Sequence, residues 1–351
     1  MAGEPRRPER PLDDDILSLP SVFRLQASAC RDLGSALSAT LLDYAANDID
    51  QSGHSAEIFR RWPEARFGDL LGLRALATAH RLVLQRRAPN LAIHYPSVGG
   101  LAPKPGDSVL VGPAFVEALA ANTDDLVRGM ADVPQTNESG RVAPLRQVLA
   151  SIDAATPVHL REFGASAGLN LLVDRIDPSG DGLALPPIAS RRGCDRHPVD
   201  ISTTEGRLRL TSFVWPDDLA RLERLRRALQ EARVVPPEVV AQDAAGFVLD
   251  CRLQPESALV IWHSAVWFYL DKASRDSIVD SIDRLGSQAT QRSPLLHASW
   301  EWRGVESTSS PGSFALVVRR WGGTPNDGVP MLWGTGPAHG VPFAASETAP
   351  L

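Results

Sequence analysis

The segment VHLREFGASAGLNLLVD, beginning at Val158, carries the clearest chemistry in the chain. An apolar strand ends in an acid, Glu162, followed by the small residues Gly164, Ala165, Ser166, Ala167 and Gly168, and then by an expected helix carrying Asn170. Small residues let the backbone turn tightly and approach a ligand closely. A helix start leaves N–H groups free to face that ligand. The spacing is E-x-G-x-x-x-G, which differs from the G-x-G-x-x-G dinucleotide fingerprint and disfavours a nicotinamide cofactor. The competing account is a strand–helix turn that serves the fold alone.

Further polar residues follow short apolar runs. Asp195 ends GCD, Asp243-Ala244 follows VVAQ, and His263-Ser264 follows ALVIW. The paired oxygens of a carboxylate such as Asp195 suit a diol. Asp243 equally suits the N-cap of a following helix. His263 is of the residue type suited to taking a proton, or it is a hydrogen-bonded structural histidine. Upstream lies a denser cluster, Gln135, Thr136, Asn137, Glu138 and Arg141. There Arg141 would pair with a carboxylate and Glu138 with an ammonium, so the cluster reads as a substrate-binding set for an amino acid, or as the holder of a cofactor's zwitterionic end. Asn137 is assigned, with His263, to the reacting centre. The alternative is a helix cap built from Thr136 or Asn137. Ser97, beside Gly99 and Gly100, reads as a lid turn over the substrate or as a plain loop.

These residues need two kinds of scaffold. Through residue 152 the apolar positions recur at three- and four-residue intervals, which predicts helices. After Pro157, short apolar runs alternate with helical stretches, the pattern of a parallel sheet. Strands are expected at 158–162, 190–195, 238–243, 258–263, 295–302, 314–320 and 330–334. The expected organisation is a disordered tail at 1–15, a helical lid or substrate domain at 16–152, and an α/β cofactor domain at 153–351. All the acidic and polar ends would then lie on the carboxyl edge of one sheet, where open α/β sheets bind ligands.

The turn at Glu162–Gly168 resembles the first motif of class I methyltransferases, whose Gly-rich loop packs on the amino-acid part of S-adenosylmethionine. That resemblance implies a Rossmann-like, seven-stranded methyltransferase sheet. It assigns Glu162, Gly164, Ala165, Ser166, Gly168, Asn170, His263 and Ser264 to the cofactor, Asp195 to its ribose, and Asp243-Ala244 to its adenine. More finely, the chain resembles a bacterial family of unknown function, common in actinobacteria and methyltransferase-like. The residues that carry this are Pro96–Gly100, Gln135–Glu138 with Arg141, Glu162–Leu172, Gly193–Asp195, Phe213–Asp217 and His263-Ser264.

The implied activity is S-adenosylmethionine-dependent methyl transfer to a small molecule, with His263 taking a proton. One alternative is attack of the cofactor's amino group on its own Cγ, giving a four-membered cyclic amino acid and methylthioadenosine. Another is a non-catalytic regulatory protein that binds the cofactor. A Ser264–His263 triad fails because no G-x-S-x-G elbow is present.

Composition narrows the partners. The chain has 351 residues, 43% of them hydrophobic, with net charge −6. That charge disfavours nucleic acid and anionic membranes. The basic run Arg221–Arg227 has leucines at helical spacing and reads as a solvated helix face. Cys30, Cys194 and Cys251 form no C-x-x-C pair, so no metal is expected. No apolar stretch reads as a signal or a membrane span, and the expected location is the cytoplasm.

Overall fold

The helical periodicity of the first half produces a bundle. The computed structural model describes residues 16–302, 314–323 and 325–351, and the expected tail at 1–15 lies outside them. β1 (Leu17–Ser18) pairs antiparallel with β2 (Glu64–Ala65), a small departure from an all-helical half. Around them lie α1 (Leu19–Asp32), α2 (Ala36–Asp50), α3 (His54–Phe59), α4 (Leu71–Leu84), α5 (Pro89–Ala92), α6 (Val111–Ala120) and α7 (Thr123–Ala131). The stretch from Gly112 to Met130 divides into α6 and α7, because the chain leaves the helix at Ala121-Asn122. The apolar faces gather into one core, in which the Phe23 and Phe59 rings meet edge to face at 5.2 Å.

The chain forms two compact units, one of residues 16–136 with Thr203–Glu223 and the other of Asn137–Ser202 with Arg224–Leu351. α8 (Val142–Ala150) belongs to the second unit and α9 (Thr204–Ser212) to the first. Within the first unit, Asp217 fastens its segment to the start of α2. It accepts hydrogen bonds from the Ser35 hydroxyl (2.6 Å) and the Leu37 amide (2.9 Å). Arg81 on α4 pairs with Glu205 on α9.

The second unit is built on one eight-stranded sheet in the order β10-β9-β8-β7-β6-β3-β4-β5. Its strands are β3 (Val158–Phe163), β4 (Ile188–Asp195), β5 (Val239–Ala241), β6 (Ala258–Ser264), β7 (Leu295–Trp302), β8 (Phe314–Trp321), β9 (Met331–Gly336) and β10 (Ala344–Pro350). β3 to β7 run parallel to one another, and from β7 the sheet continues through β8, β9 and β10 as an antiparallel meander. Every residue of β6 is buried, as a central parallel strand requires. The fold is therefore mixed α/β with a large, mostly parallel central sheet. The seven expected strands are present, with shifted ends. β10 is additional, because AASETAP shows no apolar alternation.

α10 (Leu219–Val234), α11 (Ala244–Leu249) and α12 (Lys272–Gly286) complete the helices. Only part of the basic run is a solvated face. Arg226 and Arg227 are exposed, but Arg221 is buried with its guanidinium 5.3 Å from the Trp215 ring centroid. Arg224 lies 3.6 Å from the Glu138 carboxylate. The helix expected after the Gly-rich turn is a single 3₁₀ turn, Leu169–Leu172. The loop beyond it is held by the buried Arg146 of α8. That guanidinium meets Asp177 and Asp181 and the carbonyls of Val173 and Leu183. Among the described residues, no helix is long and apolar enough to cross a membrane.

Candidate functional site

Strand order reverses between β3 and β6, since β4 and β5 continue on one side and β7 on the other. Ligands of open α/β sheets bind outside the carboxyl ends of strands at such a reversal. Glu162 and the small-residue turn end β3, and His263-Ser264 end β6, with Glu162 in register with Trp262.

The turn is held from three directions. Gly164, Ser166 and Gly168 all have left-handed backbones, at φ +68°, +53° and +76°. The Ala165 amide donates to the Cys194 carbonyl at 2.9 Å, and the Ser166 amide donates to Asp195 Oδ2 at 2.9 Å. Asn137 Oδ1 accepts from the amides of Ala167 (3.1 Å) and Leu169 (3.0 Å). Asn137 thus shapes the loop with the side-chain oxygen assigned to the reacting centre. The glycines leave room for protein rather than ligand. A Cβ on Gly164 would lie 2.6 Å from Val266 Cγ2, and one on Gly168 would lie 2.7 Å from Val239 Cγ2.

Glu162 is 1% exposed. Its Oε1 accepts from Asn170 Nδ2 at 3.0 Å. Among the described residues Oε2 has no hydrogen-bond partner, and neither has Ser166 Oγ or Asn170 Oδ1. Burial pushes the Glu162 carboxyl up to about 8, with Asp195 adding to the effect and Asn170 and Arg141 opposing it. At neutral pH it is mostly protonated.

Both oxygens of Asp195 hold backbone, Oδ2 the Ser166 amide and Oδ1 the His197 amide at 2.8 Å. Asp243 caps α11, its Oδ1 accepting from the Gly246 amide at 2.8 Å, with Ala244 as the first helical residue. Glu138 accepts from the Gly140 amide at 3.0 Å. Arg141 donates to the carbonyls of Ala338 (3.0 Å) and Ser264 (3.4 Å). Arg141 thus ties the segment before α8 to backbone elsewhere in the second unit, while the Glu138 bond stays within that segment. The rest of the expected substrate set lies in the first unit: Gln135 and Thr136 are half-buried, and Ser97 is bonded to His80.

His263 is 2% exposed. Its ring stacks on Phe163 at 4.4 Å, with Trp267 and His297 at 5.2 and 5.3 Å. Successive strand residues face opposite ways. His263 therefore shares the face of Phe163, and Glu162, one residue earlier, projects to the other. Sequence reasoning missed the partner of His263, Glu301. Its Oε1 accepts from His263 Nδ1 (2.8 Å) and from the amides of Val266 (3.1 Å) and Trp267 (3.3 Å). The signal was His297, Ser299 and Glu301, polar at every second position of β7. Burial holds His297 well below the usual histidine range.

No curated protein matches the chain. A family model matches residues 21–184 and 177–344, so the protein belongs to the bacterial family described as "Uncharacterized protein conserved in bacteria (DUF2332)".

Proposed function

We propose that the second unit binds S-adenosylmethionine at the turn after β3 and transfers its methyl group to a small molecule. The observation that carries this is the set of buried acceptors on the turn: Glu162 Oε2, Ser166 Oγ and Asn170 Oδ1. Buried polar atoms without partners are costly. A primary ammonium, with three donors, is the chemistry that would satisfy such a set. In this reading the cofactor's amino-acid end lies on the turn, its ribose diol at Asp195, and its adenine beside Asp243 and Ala244. The order β5-β4-β3-β6-β7 supports a Rossmann-like assignment. The 3₁₀ turn at Leu169–Leu172 and the meander β8-β9-β10 are this chain's own departures from the methyltransferase pattern.

The bound cofactor supplies a methyl group on a sulfonium, open to in-line displacement, and the protein's task is positioning above all. His263 stacks away from Glu162 and shares Glu301 with two amides, an arrangement that favours bracing the loop after β6 over taking a proton.

Calorimetry with S-adenosylmethionine tests the proposal. Micromolar-scale binding is expected. An ammonium beside Glu162 displaces its proton, so the binding heat at pH 7 should depend on the buffer's ionisation enthalpy. Absence of binding by the wild-type protein overturns the reading. Where binding holds, S-adenosylhomocysteine as product marks methyl transfer, and methylthioadenosine marks cyclisation of the cofactor.

A further inference from the structure

The first unit contains a serine–histidine pair that the cofactor reading does not use. His80 on α4 is 1% exposed, and its Nδ1 lies 3.0 Å from the Val214 carbonyl and 3.3 Å from that of Ser212. Carbonyl oxygens only accept, so Nδ1 carries the ring proton. Burial lowers the His80 pKa to about 4, with the two carbonyls opposing, so the ring is neutral at pH 7. Nε2 therefore presents a lone pair, and the hydroxyl 2.9 Å away on Ser97 donates to it. The tautomer follows from the partners of the other ring nitrogen.

We infer that Ser97 is an acyl-accepting nucleophile, with His80 as its base and the carbonyls of Val214 and Ser212 as the groups that orient the base. A nucleophile bonded to a base that is itself held in place is the arrangement that activates serine. Ser97 is half-buried in the 3₁₀ turn Pro96–Val98, whose next residue, Gly99, is exposed. Exposed apolar residues flank the turn along the chain. Val98 is 43% exposed, Ile93 64% and Leu101 83%, and the Leu101 amide bonds the Ile93 carbonyl at 2.8 Å across the loop. That rim fits activated esters of small apolar acids.

In the reaction, Ser97 Oγ bonds to the ester carbonyl carbon as its proton passes to His80 Nε2. The bond from that carbon to the leaving oxygen then breaks. The leaving alcohol takes the proton from His80, and an acyl-serine remains. The Gly99 and Gly100 amides are already bonded to the Pro96 and Tyr95 carbonyls. Neither is aimed at an oxyanion, so the expected behaviour is a single capture rather than rapid turnover.

The test exposes the full-length protein to p-nitrophenyl butyrate and, separately, to a fluorophosphonate, followed by peptide mass spectrometry. The expected result is a p-nitrophenolate burst approaching one equivalent and an adduct on Ser97 in both experiments. Ser97→Ala, checked for an unchanged circular dichroism spectrum, should give neither. His80→Gln should slow capture by about 100-fold, the low end for loss of a general base. If His80→Gln does not fold, the competition of butyrate ester against fluorophosphonate for the same peptide decides the matter in the wild type. An unlabelled wild-type protein, an adduct on another residue, or equal labelling of Ser97→Ala overturns the inference.

Discussion

Gly164→Ala is the sharpest test of what the small-residue turn is for. If the glycine makes room for a ligand, the added methyl should weaken binding and leave stability nearly untouched. The structure sets the opposite expectation, because the new Cβ would meet Val266 Cγ2 at 2.6 Å and Val266 Cβ at 2.9 Å. Gly164 also has φ +68°. A left-handed alanine costs about 1–2 kcal/mol, and overpacking a close-fitted site about 1–3 kcal/mol. The expected loss is therefore roughly 2–5 kcal/mol. Val266→Ala separates the two parts, since it removes the 2.6 Å clash and leaves the contact with Val266 Cβ. The double variant should recover about 1 kcal/mol or more of the loss, a coupling of the size neighbouring residues show. Urea denaturation followed by tryptophan fluorescence reads mainly the second unit, which holds Trp262, Trp267, Trp300, Trp302, Trp321 and Trp333. Additive losses in the double variant, or a Gly164→Ala protein of wild-type stability that no longer binds S-adenosylmethionine, would refute the packing argument.

Glu162 and His80 each make stability depend on pH. Glu162 titrates at about 8 in the folded protein against an ordinary 4.5. Its favourable contribution is complete below about pH 4.5 and is lost as pH rises through 8, by roughly 5 kcal/mol at most at 1.36 kcal/mol per unit. Glu162→Gln should flatten the decline between pH 5 and 8 in denaturation curves, and an unchanged slope would contradict the assignment. His80 has the opposite sign, with its folded pKa at about 4 against 6.5. Its contribution is complete above about pH 6.5 and falls as pH drops towards 4, by roughly 3 kcal/mol at most. Two-dimensional NMR should show the His80 ring unprotonated at pH 5.5, and a midpoint near 6.5 would contradict the effect of burial.

The parts of the fold legible in the sequence were those with a local cause. The apolar periodicity of α1, α2 and α4 and the buried run ALVIW required no knowledge of the partner, because burial on one helix face or both sheet faces is written in the residue order. The 3₁₀ turn at Leu169–Leu172 was not legible in that way. GLNLLVD has helical composition, but the Leu169 amide is taken by Asn137, distant in sequence, and Arg146 fastens the following chain through Val173, Asp177, Asp181 and Leu183. Tertiary bonds of this kind override local propensity. Arg221 departs from a solvated face for a similar reason, since the Trp215 ring it lies against belongs to a different element.

The candidate site divides along the same line. The acid, the small residues and Asp195 could be found because a strand end and a tight turn constrain residue type locally. What each side chain faces could not, because the pleat decides it. Placing His263 and Glu162 at neighbouring strand ends suggested a shared pocket, yet the Phe163 ring lies 4.4 Å from His263, and Glu162 is the residue before Phe163. With Glu301 Oε1 holding His263 Nδ1 and two amides of the next loop, the histidine's main consequence is where Val266 sits. Val266 in turn fills the space beside Gly164. The β6 histidine thus reaches the β3 turn through a chain of contacts, from Glu301 to Val266 to the backbone at Gly164. On this account, substitution at His263 should disturb the turn even if His263 never touches a bound molecule.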